Sequence, residues 1–354
     1  MSILKDKPVV TTFPMADPRE YRLSGFSFHS LARKTFVAYG ILPILLILLV
    51  VGFALAEPRF ISSGNIVNVM RQVSFLGIIA IGQMMYLVTK NYDLSNGGTV
   101  ALSSVVCAMV LSRGDASPLM GILAGLAVGL IVGSINGVLI AIFKISSFMV
   151  TLGTGSAAVG VALMLTGGVP ITGLPQAFTR AYGSSMVMGL PFSTFIMLLV
   201  LAGAYVLFNW TRLGRRAFAV GGNEHAAHHA GVNVKSTLLK LMITGSVLAA
   251  LVGVLMTARI SSGEANIGLQ FPMESIIAAV IGGIALNGGE GKVSGAFMGA
   301  LFIILLSNGM DLIRVQSYVQ DILLGALLVL ALMVDRLRTR VRLTADPKPR
   351  RRHT

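Results

Sequence analysis

Ten apolar stretches recur along this chain, near residues 36–56, 73–89, 97–112, 118–142, 146–166, 190–209, 237–258, 274–287, 293–308 and 318–334. A helix that crosses the hydrocarbon core of a bilayer needs about 20 consecutive apolar residues. Only helices and closed barrels can satisfy their backbone polar groups there. The pattern predicts an all-α, polytopic membrane protein with about ten transmembrane helices. The charged share agrees: 12% of the 354 residues are charged, against about 25% in soluble domains. Mean hydropathy is +0.81, and the 40 glycines sit among aliphatic residues. These values exclude a disordered chain and an ordinary soluble enzyme. The one cysteine, Cys107, excludes an internal disulfide framework.

The stretches 97–112 and 274–287 are short, and each meets a glycine pair, Gly97-Gly98 or Gly288-Gly289. Both are predicted to be broken or re-entrant helices, whose freed backbone groups must face protein or a wet cavity. An even number of spans keeps both termini on one side. Ten spans place 22 of the 28 Lys and Arg inside, which supports cytoplasmic termini by the positive-inside rule; eight spans would leave the termini there as well. In this scheme Arg59, Arg71, Arg113, Arg180, Arg259 and Arg314 fall in outside loops. Residues 1–35 form a cytoplasmic extension, 36–335 the transmembrane domain and 336–354 a basic cytoplasmic tail. The first apolar run is expected to be a retained helix, since it is too long for a signal-peptide core. The formal charge of +14 is concentrated in the two ends, where neither a folded reader nor interleaved aromatics would accompany a nucleic-acid function.

Glycines at 121, 125, 129, 133 and 137 repeat every four residues in the fourth stretch. They form one ridge on which another helix backbone can approach closely. Asn136, beside the last of them, can make an interhelical hydrogen bond or touch a polar solute. The longest cytoplasmic loop, near 210–236, encodes a turn, a short helix and a stop. Gly221 and Gly222 supply the turn, and Asn223 is a competent N-cap. Glu224 places a negative charge in the first turn, Ala227 belongs to the helix, and Gly231 stops it. Such a helix suits docking of a soluble partner, or serves as an ordinary connector. His225 and His229 share a face, but no cysteine lies near, and no metal site is expected.

The run Thr89-Lys-Asn-Tyr-Asp93-Leu-Ser-Asn-Gly-Gly98 interrupts two apolar stretches with hydrogen-bonding groups. It is either a cytoplasmic loop or a broken helix along a solute path. Asp93, Ser95, Asn96, Asn136 and Glu274 are the candidate pathway residues. Gly-Gly-Glu-Gly291-Lys292-Val lacks both the first glycine and the Ser/Thr of a P-loop. No catalytic motif is evident. No cofactor is expected on this chain, and any ATP would be used by a partner subunit.

Several stretches resemble the permease subunits of ribose-type, binding-protein-dependent ABC sugar importers. They are Phe148-Met-Val-Thr-Leu-Gly-Thr154, Leu165-Thr-Gly-Gly168, Leu213-Gly-Arg-Arg-Ala-Phe-Ala-Val-Gly-Gly-Asn-Glu224, Ala278-Ala-Val-Ile-Gly-Gly283, the Gly288-Gly289 pair with Gly291, and Asn308-Gly309. The likeness runs from about Phe60 to Asp335. It implies a multi-pass subunit of a bacterial inner membrane, paired with a second copy or a paralogue. It also implies two cytoplasmic ATP-binding subunits and a periplasmic sugar-binding protein as partners. The 221–231 helix then corresponds to a coupling helix that inserts into the ATPase. The expected function is import of a monosaccharide or small polyol by alternating access. Nucleosides or branched-chain amino acids are alternative solutes, and an autonomous secondary transporter is an alternative class. The family usually reads Thr-Gly-Gly-Ile-Asp-Leu-Ser-Val-Gly near the third span. Here Lys90, Asn91, Tyr92 and Asn96 replace Gly, Gly, Ile and Val, and Ser146-Ser147 stand where a proline commonly precedes the Phe148 position.

Overall fold

The computed structural model describes residues 42–114 and 116–345, with side chains as far as Met333. The expected N-terminal extension and the end of the basic tail lie outside the described residues. Each of the ten apolar stretches falls on a helix: α1 (Leu42–Ala56), α2 (Ser63–Leu87), α3 (Asn96–Leu111), α4 (Pro118–Ala141), α5 (Ser147–Thr166), α6 (Phe192–Trp210), α9 (Val234–Ile260), α10 (Phe271–Ile281), α11 (Val293–Leu312) and α12 (Ser317–Ala345). Between α6 and α9 lie α7 (Arg212–Gly222) and α8 (Glu224–His229). Among the described residues, α2, α4, α5, α6, α9 and α11 are long and apolar enough to cross a membrane, while α1, α3, α10 and the apolar part of α12 are shorter. The only paired strands among those residues are the two-residue β1 (Met186–Val187) and β2 (Leu190–Pro191), a hairpin before α6.

Helix boundaries differ from the apolar stretches where polar residues enter a helix or where glycine packing decides. α2 begins ten residues before the expected 73, so Arg71 lies within a helix, as does Arg259 near the end of α9. Neither belongs to an outside loop. α2 can start early because Ser62 caps it, accepting the Asn65 N–H. The Gly97-Gly98 pair lies inside the first turn of α3 rather than breaking it. A β-carbon at Gly98 would meet the backbone of Gly155, and one at Gly97 would meet Pro272, so these glycines admit close neighbours. The interruption lies upstream, in 88–95. α10 stops at Ile281, before the expected 287. Gly283 there has φ +83°, and Gly282 is pressed against the Gly295 backbone. At 11 residues, α10 is about 16 Å long, half of a hydrocarbon core of about 30 Å. α12 continues as helix to Ala345, into the basic segment read as tail.

The glycine ridge of α4 packs as the four-residue spacing predicts. α9 lies along it and also touches α2 and α3. A β-carbon at Gly129 would meet the Ser246 carbonyl and Ala250, one at Gly133 would meet Ile243 and Ser246, and one at Gly137 would meet Leu239. α2 in turn packs against α6, α10 and α11, so α2 and α9 are the inner helices around which the rest assemble.

Gly129→Val should therefore lower the melting temperature of the detergent-solubilised protein by several degrees, since overpacking of this kind costs about 1–3 kcal/mol. Gly160→Ala, on α5 with open space around it, should shift the melting temperature by less than a degree or so by comparison. Equal shifts for the two substitutions would refute the packing argument.

Candidate functional site

α2 ends in a turn at Val88–Lys90, and the chain then runs without regular structure through Asn91–Ser95 before α3 begins at Asn96. An interruption of this kind strips the backbone of helical hydrogen bonds, and inside a bundle each loss must be made good by a side chain. α5 supplies the first replacements. Ser147 Oγ accepts the Tyr92 N–H at 3.1 Å, and Thr151 Oγ1 accepts the Leu94 N–H at 3.1 Å. Asp93 then folds back on its own segment, its Oδ1 accepting from Ser95 N at 2.8 Å and Ser95 Oγ at 2.6 Å.

The segment is tied outward from there. Asn136 Nδ2 of α4 donates to Ser95 Oγ at 2.9 Å, and Thr154 Oγ1 of α5 donates to Asn136 Oδ1 at 2.7 Å. Asn96 Nδ2 donates to Ser275 Oγ of α10 at 3.1 Å and to Gln83 Oε1 of α2 at 3.4 Å. The Tyr86 hydroxyl, one turn along, donates to the Met242 carbonyl at 3.2 Å. Asp93, Ser95, Asn96 and Asn136 are at most 2% exposed. The interruption at 88–95 is thus buried within the bundle at Thr89, Asp93 and Ser95, half-buried at Asn91, Tyr92 and Leu94, and exposed at Lys90. Asn136 makes the interhelical hydrogen bond proposed for it.

Four of the five pathway candidates are brought together in one network. Glu274, half-buried in the first turn of α10, is joined to it only through its neighbour Ser275. Ser147, Thr151, Thr154, Gln83 and Ser275 complete the network and were not among the pathway candidates. The one available signal was Ser146-Ser147 in place of the usual proline. Two buried atoms in the network have no partner: Asn96 Oδ1 and Gln83 Nε2. Each such group costs about 1–3 kcal/mol, and Asn96 is one of the positions where the chain departs from the family's pattern.

The loop after α6 carries the second group of candidates. Thr211 caps α7 by accepting the Gly214 N–H. Gly221 and Gly222 are the last residues of α7 rather than a free turn; the chain bends at Asn223, with φ −154° and ψ 107°. Gly221 is buried, and a β-carbon on it would collide with the Val88 carbonyl and the Gly289 nitrogen. Gly289 N donates to Val88 O at 2.9 Å. Three backbones therefore meet at a point where only glycine fits: the end of α7, the end of α2 and the 288–289 loop.

Asn223 Oδ1 accepts the Ala226 N–H at 2.9 Å and caps α8. Ala227 is buried under the helix. The helix closes with Val232 N donating to Ala227 O and with Gly231 at φ +80°, a Schellman arrangement. Glu224 Oε1 accepts from Lys144 Nζ of the α4–α5 turn at 2.5 Å, with both side chains about half exposed, at 49% and 51%. Lys144 is the contact that sequence reasoning missed. A groove of about 540 Å³ runs beside α8, lined by Lys144, Glu224, His225, His228, Val232 and Lys235 among others. Among the described residues no group of three His, Cys, Asp or Glu could hold a metal ion.

The bundle thus carries a buried polar break and a capped helix presented on a loop. The chain belongs to the family described as branched-chain amino acid transport system / permease component, which it matches over residues 65–332. It is 36% identical over 293 residues to the ribose import permease of Bacillus subtilis (strain 168), covering 82% of this chain and 90% of that one. It is 34% identical over 330 residues to the galactose/methyl galactoside import permease of Escherichia coli (strain K12), covering 87% and 98%. The D-allose transport system permease of the same organism is 32% identical over 299 residues, covering 84% and 91%. No solved structure matches.

Asn96→Val alone should lower thermal stability, because it leaves Gln83 Oε1 and Ser275 with one partner fewer. Gln83→Met with Asn96→Val should recover that loss or exceed the wild type, since both orphaned atoms vanish together. Strictly additive effects in the double-mutant cycle would mean the two amides do not interact.

Proposed function

We propose that this chain is the membrane-spanning subunit of a binding-protein-dependent ABC importer, carrying a monosaccharide or small polyol through a pathway driven by a separate ATP-hydrolysing subunit. The observation that carries the reading is α8. It is a six-residue helix, capped at both ends, pinned by Ala227 and otherwise exposed beside its groove. Isolated helices this short do not persist in water. This one is held by caps and by one buried alanine, and most of its surface remains free for a partner.

Two-state transport then follows from differential contacts. ATP binding moves the docked subunits, α8 moves with them, and the bundle changes the side to which its pathway opens. The names of the relatives, which import ribose, D-allose and galactose, favour a sugar over the amino acids in the family's description. The reading places the protein in a bacterial inner membrane with both termini cytoplasmic and with a periplasmic sugar-binding protein delivering the solute. A second permease copy or paralogue completes the pathway.

The deciding experiment is purification of the tagged chain from its native membrane in mild detergent, with mass spectrometry of the partners. A stoichiometric ATP-binding subunit is expected; a chain that emerges alone under those conditions would favour an autonomous carrier, whose uptake would also collapse with an uncoupler. Uptake of labelled ribose, galactose and leucine separates the solute classes.

Glu224→Lys should leave insertion and folding intact, since the pair it breaks is half-exposed and worth about 0–1 kcal/mol, yet abolish uptake by reversing charge at the docking helix. Unchanged uptake with normal ATPase association would remove α8 from the coupling role. Asp93→Ala should impair transport while the complex still assembles; wild-type uptake would restrict Asp93 to closing the local turn with Ser95.

A further inference from the structure

The Val88–Lys90 turn that closes α2 holds an unexpected residue. Lys90 N donates to Leu87 O and Asn91 N donates to Tyr86 O, so the turn is a helix stop whose left-handed position is Lys90. Its φ is +63°, a region that favours glycine and strains other residues. The lysine therefore occupies a conformation that disfavours it, and its side chain shows what is gained. The stem lies against Gly288, where a β-carbon would meet Lys90 Cγ. The ammonium donates to the Gly222 carbonyl at 3.3 Å. Gly222 is the last residue of α7, so the ammonium sits on an unsatisfied terminal carbonyl at the negative end of the helix dipole. No carboxylate forms an ion pair with Lys90 among the described residues.

Lys90 thereby connects two regions. Three residues further on is Asp93, the start of the buried network. On the other side, Gly222 is separated from Glu224 only by the capping Asn223. The backbone clasp between Gly289 N, Val88 O and Gly221 holds the same three segments in register. We propose that Lys90 is a positioning residue, a strut between the buried 88–96 break and the α7–α8 pair that delivers displacement of α8 to the break. The proposal rests on the importer reading given above. Coupling needs a continuous physical path with two arrangements, and this is a short path between the docking helix and the polar break.

The test is hydrogen–deuterium exchange on the complex with its ATP-binding subunits, with and without a non-hydrolysable ATP analogue, for wild type, Lys90→Gly, Lys90→Met and Lys90→Arg. Lys90→Gly relieves the backbone strain and cannot fail for lack of folding on that account. In wild type the analogue is expected to change exchange both at 223–231 and at 88–96. In Lys90→Gly and Lys90→Met the change at 223–231 should persist while that at 88–96 falls about fivefold, the size expected for loss of one charge-assisted hydrogen bond. Lys90→Arg should restore it.

An undiminished change at 88–96 in Lys90→Gly would overturn the strut. So would loss of the ATP-binding subunit from Lys90→Gly, which would make Lys90 a docking residue. A wild-type chain that binds no ATP-binding subunit would overturn the importer reading and the strut with it, so the two failures are distinguishable.

Discussion

The structure depends on how the backbone between α2 and α3 is satisfied where no helix exists to satisfy it. In a bilayer an unpaired N–H or C=O costs several kcal/mol, so an interruption survives only inside protein that replaces each lost bond. Here hydroxyls spaced four residues apart on α5, Ser147 and Thr151, face the non-helical segment and accept two of its amides. Asp93 and Ser95 close the turn internally, and Asn136 locks the result to α4. Five helices are committed to this one segment. Their positions are consequently coupled to its conformation, which is the property a switching pathway needs.

Glycine makes the arrangement geometrically possible. The α4 ridge brings α9 close enough to stand behind Asn136, and Gly98 lets α3 start directly against Gly155 of α5. Gly221 performs the same service where the end of α7 meets the end of α2 and the 288–289 loop. Without these close approaches the hydroxyls of α5 would stand too far from the 91–95 backbone to accept from it. Packing by small residues and satisfaction of polar groups are thus one device here, not two.

Much of this was legible in the sequence because it follows from periodicity. Apolar stretches gave the helices, the four-residue glycine spacing gave the α4 ridge, and Asn223 and Gly231 gave the bounds of α8. What escaped was long-range. Nothing local says that Gly221 abuts Val88 and Gly289, so it read as a turn glycine. Arg71 and Arg259 read as loop residues because charge argues against a span. Yet Arg259 Nη2 donates to Asn68 at 2.8 Å and its guanidinium lies 5.7 Å from the Phe75 ring centre, interactions that let it lie inside a helical bundle. The partners of Asp93 and its neighbours are on α4, α5 and α10, and no spacing rule joins them.

The departures from the family's pattern bear on one another. Lys90, Asn91, Tyr92 and Asn96 fall within seven residues, and Ser147, where a proline is common, lies across from them. A proline at 147 would offer no hydroxyl to the Tyr92 N–H. A glycine at 90 would offer no ammonium to Gly222, and a valine at 96 would offer no amide to Gln83 and Ser275. In this chain Ser147, Lys90 and Asn96 each hold the break with a side-chain hydrogen bond. The price is visible in the strained φ of Lys90 and the two orphaned amide atoms. A segment held by directional bonds has fewer alternative arrangements than one held by packing alone.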